Sequence, residues 1–256
     1  MSTSAIANAD IARLPARAAT RKSFVSHARL ISVLTLLSRI LGMARETVMA
    51  QYFGAGPVSS AFAAAFKVPN LFRKLLGEGA LSAAFIPLYA QALNSPDEAA
   101  AGEANRFAAA SVSLLTSVLL AVTIFGELLL WALAHWMVLR PDNLLILRFT
   151  AIMLPYVLLV CGTAFLGGIL QVHHRFALPA LSPVLLNLIH IAVIVTGARL
   201  LMLHAASGAQ KMAIQARLAD WLAVFVLVAG VLQVTILLPA LRAAGFRWRW
   251  VSRFWT

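Results

Sequence analysis

From residue 30 onward, the apolar residues of this chain come in long blocks parted by short polar stretches. Measured against the roughly 20 apolar residues a helix needs to cross a bilayer, the blocks predict six transmembrane helices, at about 30–53, 58–93, 107–138, 149–172, 176–198 and 221–241. The last three contain no Asp, Glu, Lys or Arg. The second is longer than one crossing requires and holds Pro69, which removes a helical hydrogen bond, so it is expected to be broken. In the third, only Glu127 interrupts the apolar run, near its far end. The linkers are short. Gly54-Ala55-Gly56-Pro57 is a turn tight enough to make the first two helices antiparallel neighbours. Asn94 to Asn105, with Pro96, Asp97, Glu98 and Glu103, is expected to be a solvated loop, and His173-His174-Arg175 a short turn. The fold class that follows is all-α and integral to a membrane.

The first two blocks differ from the others in carrying charge. Wound at 100° per residue, the first places Thr35, Ser38, Arg39, Gly42, Arg45 and Glu46 within an arc of about 120° and leaves Leu36, Leu37, Ile40 and Leu41 on the remainder. In the second, Lys67, Asn70, Lys74, Gly77 and Glu78 fall within about 100°, with Arg73 just beyond. Charges at membrane depth are costly and usually face a protein-lined or water-filled cavity, which marks such residues as functional candidates. Three readings stay open on these residues alone: a cavity that binds an anion, a structural charge network, and a path for cations. Glu46 can neutralise one arginine of its helix, and Lys74 and Glu78 are an i,i+4 pair. Pro69, Gly77, Gly79 and Pro87 also fit the discontinuous helix that transporters place at a substrate site.

Composition narrows the class. At 61% hydrophobic and 12% charged, with a mean hydropathy of +0.87, a water-soluble globule is excluded and a multispanning membrane protein is indicated. The formal charge of +12 comes from scattered residues and forms no basic stripe interleaved with aromatics, so anionic headgroups are the expected counter-charge and nucleic acid is not. With the N-terminus inside, eleven basic residues fall on the cytoplasmic side and five outside (Arg140, Arg148, Arg199, Lys211 and Arg217), which predicts both termini cytoplasmic. Residues 1–29 then form a basic cytoplasmic tail, 30–241 the helical unit and 242–256 a basic cytoplasmic segment. Cys161 is the single cysteine, which leaves no disulfide framework. Adjacent His173 and His174 do not share a helix face, so neither metal nor cofactor is expected. His190, inside the fifth block, is expected to hydrogen-bond across helices. No HExxH, GxSxG or paired intramembrane aspartates point to an enzyme.

SRILGMARETVMAQYFGAG, followed by AFKVPNLFRKLLGEGALSAAFIPLYAQAL, resembles the N-terminal signature of the MurJ/MviN lipid II flippases of the multidrug/oligosaccharidyl-lipid/polysaccharide exporter superfamily. The likeness continues more weakly through LPYVLLVCGTAFLGGILQVHHRFALPALSPVLLN to VLQVTILLPALRAAG, over residues 28 to 245. The resemblance implies a multi-pass carrier of the bacterial inner membrane that moves lipid II, an undecaprenyl-pyrophosphate-linked peptidoglycan precursor, outward by alternating access. It implies that Arg39, Arg45 and Arg73 line the central cavity and that Glu46 and Glu78 take the family's acidic places; the planar guanidinium fork adds the expectation that the three arginines hold the pyrophosphate, and the helical projections that Ser38, Glu46, Lys67, Asn70, Lys74 and Glu78 line the cavity or pair ions. It also implies two facing lobes, of which these six helices are one; the expected partner is a second lobe, in the same gene or a separate chain. Ser60 stands where the family usually has an aspartate. The alternatives are a flippase for another polyprenyl-pyrophosphate saccharide, or a lone lobe with a lipid-binding or regulatory role.

Overall fold

The computed structural model describes residues 29–77, 79–94, 98–137 and 140–250, and these are helical throughout apart from short turns and the segment after Ala243. Helix α1 covers residues 29–53. Gly54, at φ 64°, reverses the chain into α2 (Pro57–Phe72), where Pro57 occupies the first turn and needs no hydrogen bond for its nitrogen. A π-helical turn (Arg73–Gly77) and Gly79 lead into α3 (Ala80–Leu93). The remaining helices are α4 (Glu98–Trp136), α5 (Pro141–Met153), α6 (Tyr156–Val172), α7 (Ala177–Leu200) and α8 (Gly208–Ala243), with a single 3-10 turn (Leu203–Ala205) before the last.

Several boundaries differ from those the sequence predicts. The second block is broken, but α2 runs straight through Pro69, because Val58, Ala61, Phe62, Ala65 and Pro69 are its buried face. The break comes at Gly79, where a Cβ would lie 2.4 Å from the carbonyl oxygen of Leu75 and 2.7 Å from that of Lys74. The expected loop at 94–105 is helical from Glu98 onward; its sequence, EAAAGEAN, is dominated by strong helix formers, which outweigh its polarity. The fourth block begins at Pro141 instead of 149 and is bent by 45° between α5 and α6, where Pro155 has no N–H to continue the ladder.

Three helices are long and apolar enough to cross a membrane (Gly102–Trp136, Ala177–Leu200 and Gly208–Ala243), and the bent α5–α6 pair makes a fourth if taken as one span. The expected first and second crossings do not reach that standard, since α1 carries Arg39, Arg45 and Glu46 and the α2–α3 pair is divided into pieces of 16 and 14 residues.

The core lies around α6 and α8. Val157, Cys161, Phe165 and Ile169 of α6 are fully buried beside Leu218, Leu222 and Val226 of α8 and Phe149 and Met153 of α5. The two central helices approach most closely at Gly230, where a Cβ would sit 2.8 Å from Tyr156 Cδ2 and 2.9 Å from Leu159 Cβ. Side-chain bonds fasten the ends. At one end, Asn105 donates to the carbonyl of Gly245 (3.1 Å), Arg175 to that of Ala243 (3.1 Å), and Tyr89 Oη lies 2.9 Å from His173 Nε2. At the other, Gln215 Nε2 donates to the last carbonyls of α1, Tyr52 (2.8 Å) and Phe53 (3.1 Å), and Arg148 bonds Asp220 at 2.6 Å. The C-terminal ends of α3, α6 and α8 thus meet the N-terminal part of α4, and the C-terminal end of α1 lies at the opposite end of α8.

Two predictions follow from this packing. Gly230→Ala should lower the melting temperature in detergent, overpacking of this kind typically costing about 1–3 kcal/mol. Gly162→Ala, where a Cβ would meet nothing within 4 Å, should not, and equal losses at both positions would contradict the packing described. In the α6–α7 turn, burial, then Arg175 and His174, hold the His173 pKa below its ordinary value. The unfolded chain therefore binds more protons than the folded one between the two pKa values, and stability rises with pH there. Melting temperature should fall as pH drops below about 6.5, and His173→Gln should flatten part of that slope.

Candidate functional site

A cavity of about 400 Å³ opens between α1, α2, the π-helical turn, α6, α7 and α8. Two of its walls carry arginine. Arg45 projects from α1 beside Gly42, with about a fifth of its side chain exposed (21%), and pairs with the carboxylate of its neighbour Glu46. Its guanidinium carbon also stands 5.9 Å from the centre of the Phe66 ring, and Phe66 in turn packs on His190 at 5.7 Å. Arg73 is the first residue of the π-helical turn and stands near enough to Tyr156 and Cys161 for its charge to act on both. Asn70, one turn before it, also lines the cavity and donates back to the carbonyl of Phe66 (3.1 Å).

The rest of the wall is polar but uncharged. Asn187 of α7 donates to the carbonyl of Ser38 (3.2 Å), and Gly42 leaves room for this approach, since a Cβ there would lie 3.7 Å from the Asn187 amide nitrogen. Gln233 of α8 donates to the carbonyl of Ser182 (2.7 Å) and accepts a long bond from Tyr156 Oη (3.4 Å). Thr163 and Ser182 line the same cavity, but their hydroxyl oxygens are buried and have no hydrogen-bond partner among the described residues. Buried polar groups are normally satisfied, so these two are exceptions set into the cavity wall. His190 Nε2 is likewise buried without a partner among the described residues, and the ring packs on Phe66.

Of the residues singled out in the sequence, the structure brings Arg45, Asn70 and Arg73 together in this cavity. Arg39, Glu46, Lys67 and Lys74 do not line it and are exposed, and Ser38 contributes through its carbonyl. Glu78 lies outside the described residues. The helical projections were too coarse in a definable way. On α1 the inward line is Ser38, Gly42 and Arg45, centred about 90° from Arg39. On α2 it is Phe66, Asn70 and Arg73, an i, i+4, i+7 series, because the aromatic side is buried while long lysine stems carry their ammonium groups outward. Thr163, Gln171, Ser182, Asn187 and Gln233 were missed, because only full charges were sought in the last three blocks. Isolated amides and hydroxyls on apolar helices were the available signal.

A model of the family described as lipid II flippase MurJ matches residues 49–255. A probable lipid II flippase MurJ from Rhizobium tropici is 38% identical over 218 residues, which is 82% of this chain and 38% of that protein. The lipid II flippase MurJ of Burkholderia cenocepacia is 36% identical over 221 residues, 83% of this chain and 39% of its own. A solved structure of lipid II flippase MurJ in an inward closed conformation superimposes with a TM-score of 0.62 at 23% identity, over 87% of this chain and 43% of that one, which shows a shared fold. The chain therefore spans about two fifths of the length of the curated relatives it matches. The family model covers most of its residues, the relatives agree over the same region, and the helices are arranged as in that fold: the chain belongs to the MurJ family of lipid II flippases.

Proposed function

We propose that residues 30–241 work as one six-helix lobe of a lipid II flippase in the bacterial inner membrane, with the basic segments on either side in the cytoplasm. The observation that carries this is the convergence of Arg45 and Arg73, from different helices, on one cavity whose remaining polar groups are neutral amides and hydroxyls. A pyrophosphate diester is anionic at neutral pH, and guanidinium offers it a planar fork of donors that stays charged when partly desolvated. Amides and hydroxyls such as Asn187, Gln233, Thr163 and Ser182 suit the sugar next to the pyrophosphate. The names of the relatives favour lipid II over another polyprenyl-linked saccharide.

In this reading α1 and the broken α2–α3 pair are the first two crossings. Their charges and irregular backbone are tolerated because Arg45 and Arg73 line the cavity and the others turn away from lipid. The α5–α6 pair is one bent crossing, which with α4, α7 and α8 makes six. Arg39, Glu46, Lys67 and Lys74, all exposed, belong to the surface turned toward a second lobe and the substrate path between the two. Alternating access by one bundle rocking against another around a shared site needs such a partner.

Native mass spectrometry with lipid II tests the site. Arg45→Lys and Arg73→Lys should each weaken binding about tenfold, the loss expected for a charge-assisted bidentate contact, while membrane abundance stays near that of the unaltered protein. Arg39→Lys, on the exposed face, should weaken it less. Unaltered affinity in both cavity variants would refute the pyrophosphate reading. For topology, a phosphatase active only in the periplasm, fused after Thr256, should be silent; an active fusion means an odd number of crossings.

A further inference from the structure

Helix α6 has two unlike faces. At 100° per residue, Tyr156, Val160, Thr163, Gly167 and Gln171 fall on one side and line the polar cavity. Leu158, Gly162, Phe165 and Leu166 fall on the opposite side, where they form the floor of a second concavity of about 790 Å³ walled by α4 and α8. Both walls pack on α6. Gly162 deepens the groove between them, as a Cβ there would meet no atom within 4 Å. From Val234 to Leu241, about 10 Å along α8, the groove is apolar except for Thr116 of α4. Its end is different. There Arg242, Arg247 and Trp248 line the mouth, and no acidic side chain lines the groove at any point among the described residues.

The basic end is built, not trailing. Phe246 is buried at 3% exposure, Trp248 Nε1 donates to Ser113 Oγ of α4 at 3.3 Å, and the carbonyl of Gly245 accepts from Asn105. These contacts hold Arg247 across the end of the groove beside Arg242, where both guanidinium groups are exposed. Trp248 and Trp250 are half-exposed at the same level, the position indoles favour at the edge of a bilayer.

We propose that this groove binds an anionic glycerophospholipid, with an acyl chain on Leu158, Gly162 and Phe165 and the phosphate between Arg242 and Arg247. Beyond its basic mouth the trough offers one hydroxyl, Thr116, fewer than the two to four partners a held water needs, so in a bilayer hydrocarbon fills it. Paired arginines at its mouth select phosphate by charge and by geometry, as basic pockets between transmembrane helices do for acidic headgroups. A zwitterionic headgroup brings its own cation to the same arginines and gains less. The site is distinct from the flippase cavity and goes beyond that reading, because a lipid whose head occupied Arg45 and Arg73 would have α6 between its head and this groove.

The test is native mass spectrometry and melting of the full chain in detergent, with palmitoyl-oleoyl phosphatidylglycerol against the matching phosphatidylcholine. Phosphatidylglycerol should be retained about tenfold better. Arg242→Gln/Arg247→Gln should reduce it to the phosphatidylcholine level. Gly162→Leu fills the groove without meeting another atom at Cβ, and should abolish retention while leaving the melting temperature unchanged or higher. Should that variant fail to accumulate, the exposed arginine pair decides alone. Equal retention of the two lipids by the unaltered chain, or full phosphatidylglycerol binding by folded Gly162→Leu, overturns the proposal. So does one-for-one displacement by undecaprenyl phosphate, which would make the groove an isoprenoid site. None of these measurements uses lipid II, so the outcome stands apart from that of the flippase reading.

Discussion

Arginine stays charged at any depth a protein carries it to, so a guanidinium inside an apolar bundle must be met there by a carboxylate, a ring face, an amide or a ligand. Arg45 and Arg73 place that demand on this chain, and the surrounding helices are arranged around it. Glu46 and the Phe66 ring meet Arg45. Asn70, Gln171, Asn187 and Gln233 bring amides to the same space from α2, α6, α7 and α8.

Forming that cavity requires helices to stop or bend where hydrocarbon would punish an open backbone. The irregular points are accordingly next to it. The π-helical turn that ends at Gly77 presents Arg73, and the tight passage at Gly79 is possible only without a side chain. The bend at Leu154–Pro155 delivers Tyr156 to the opposite wall. Elsewhere the bundle is held by close contact in place of charge. Gly230 lets α8 press against α6, Gly197 lets α7 press against α8, and Gly42 lets α1 reach Asn187. Small residues at helix crossings are the usual solution where lipid gives no hydrophobic drive to association.

Placing the polar cavity and the apolar groove on opposite faces of one helix gives α6 a dividing role. Its residues at i, i+4 and i+7 spacing from Tyr156 line the polar cavity, and Leu158, Leu159, Gly162, Phe165 and Leu166 line the side where α4 and α8 stand apart. The segment after Ala243 completes the second side, since Phe246 and Trp248 return to α4 and bring arginine to the groove's end.

The sequence by itself determined that the chain is helical and apolar enough for a membrane, where most helices lie, and that the charges within the apolar blocks cluster in the first two. These are properties of local composition and period, which one strand of chain carries without its neighbours. It also determined the family, because SRILGMARE and KVPNLFRKLLGEG are contiguous. Which charged residues share a cavity was decided only by tertiary structure. Arg39 and Arg45 lie in one polar arc of α1, yet packing on α7 through Gly42 and Ser38 turns Arg45 inward and leaves Arg39 exposed. Lys74 was placed nearer the centre of its arc than Arg73, and burial of Phe62, Ala65 and Pro69 reversed their order. Thr163, Ser182, Asn187 and Gln233 stand on three helices far apart in the chain, and only the crossing of α6, α7 and α8 gives them one surface. Spacing along a helix sets the angle between side chains; what each angle faces is set by the neighbour that packs there.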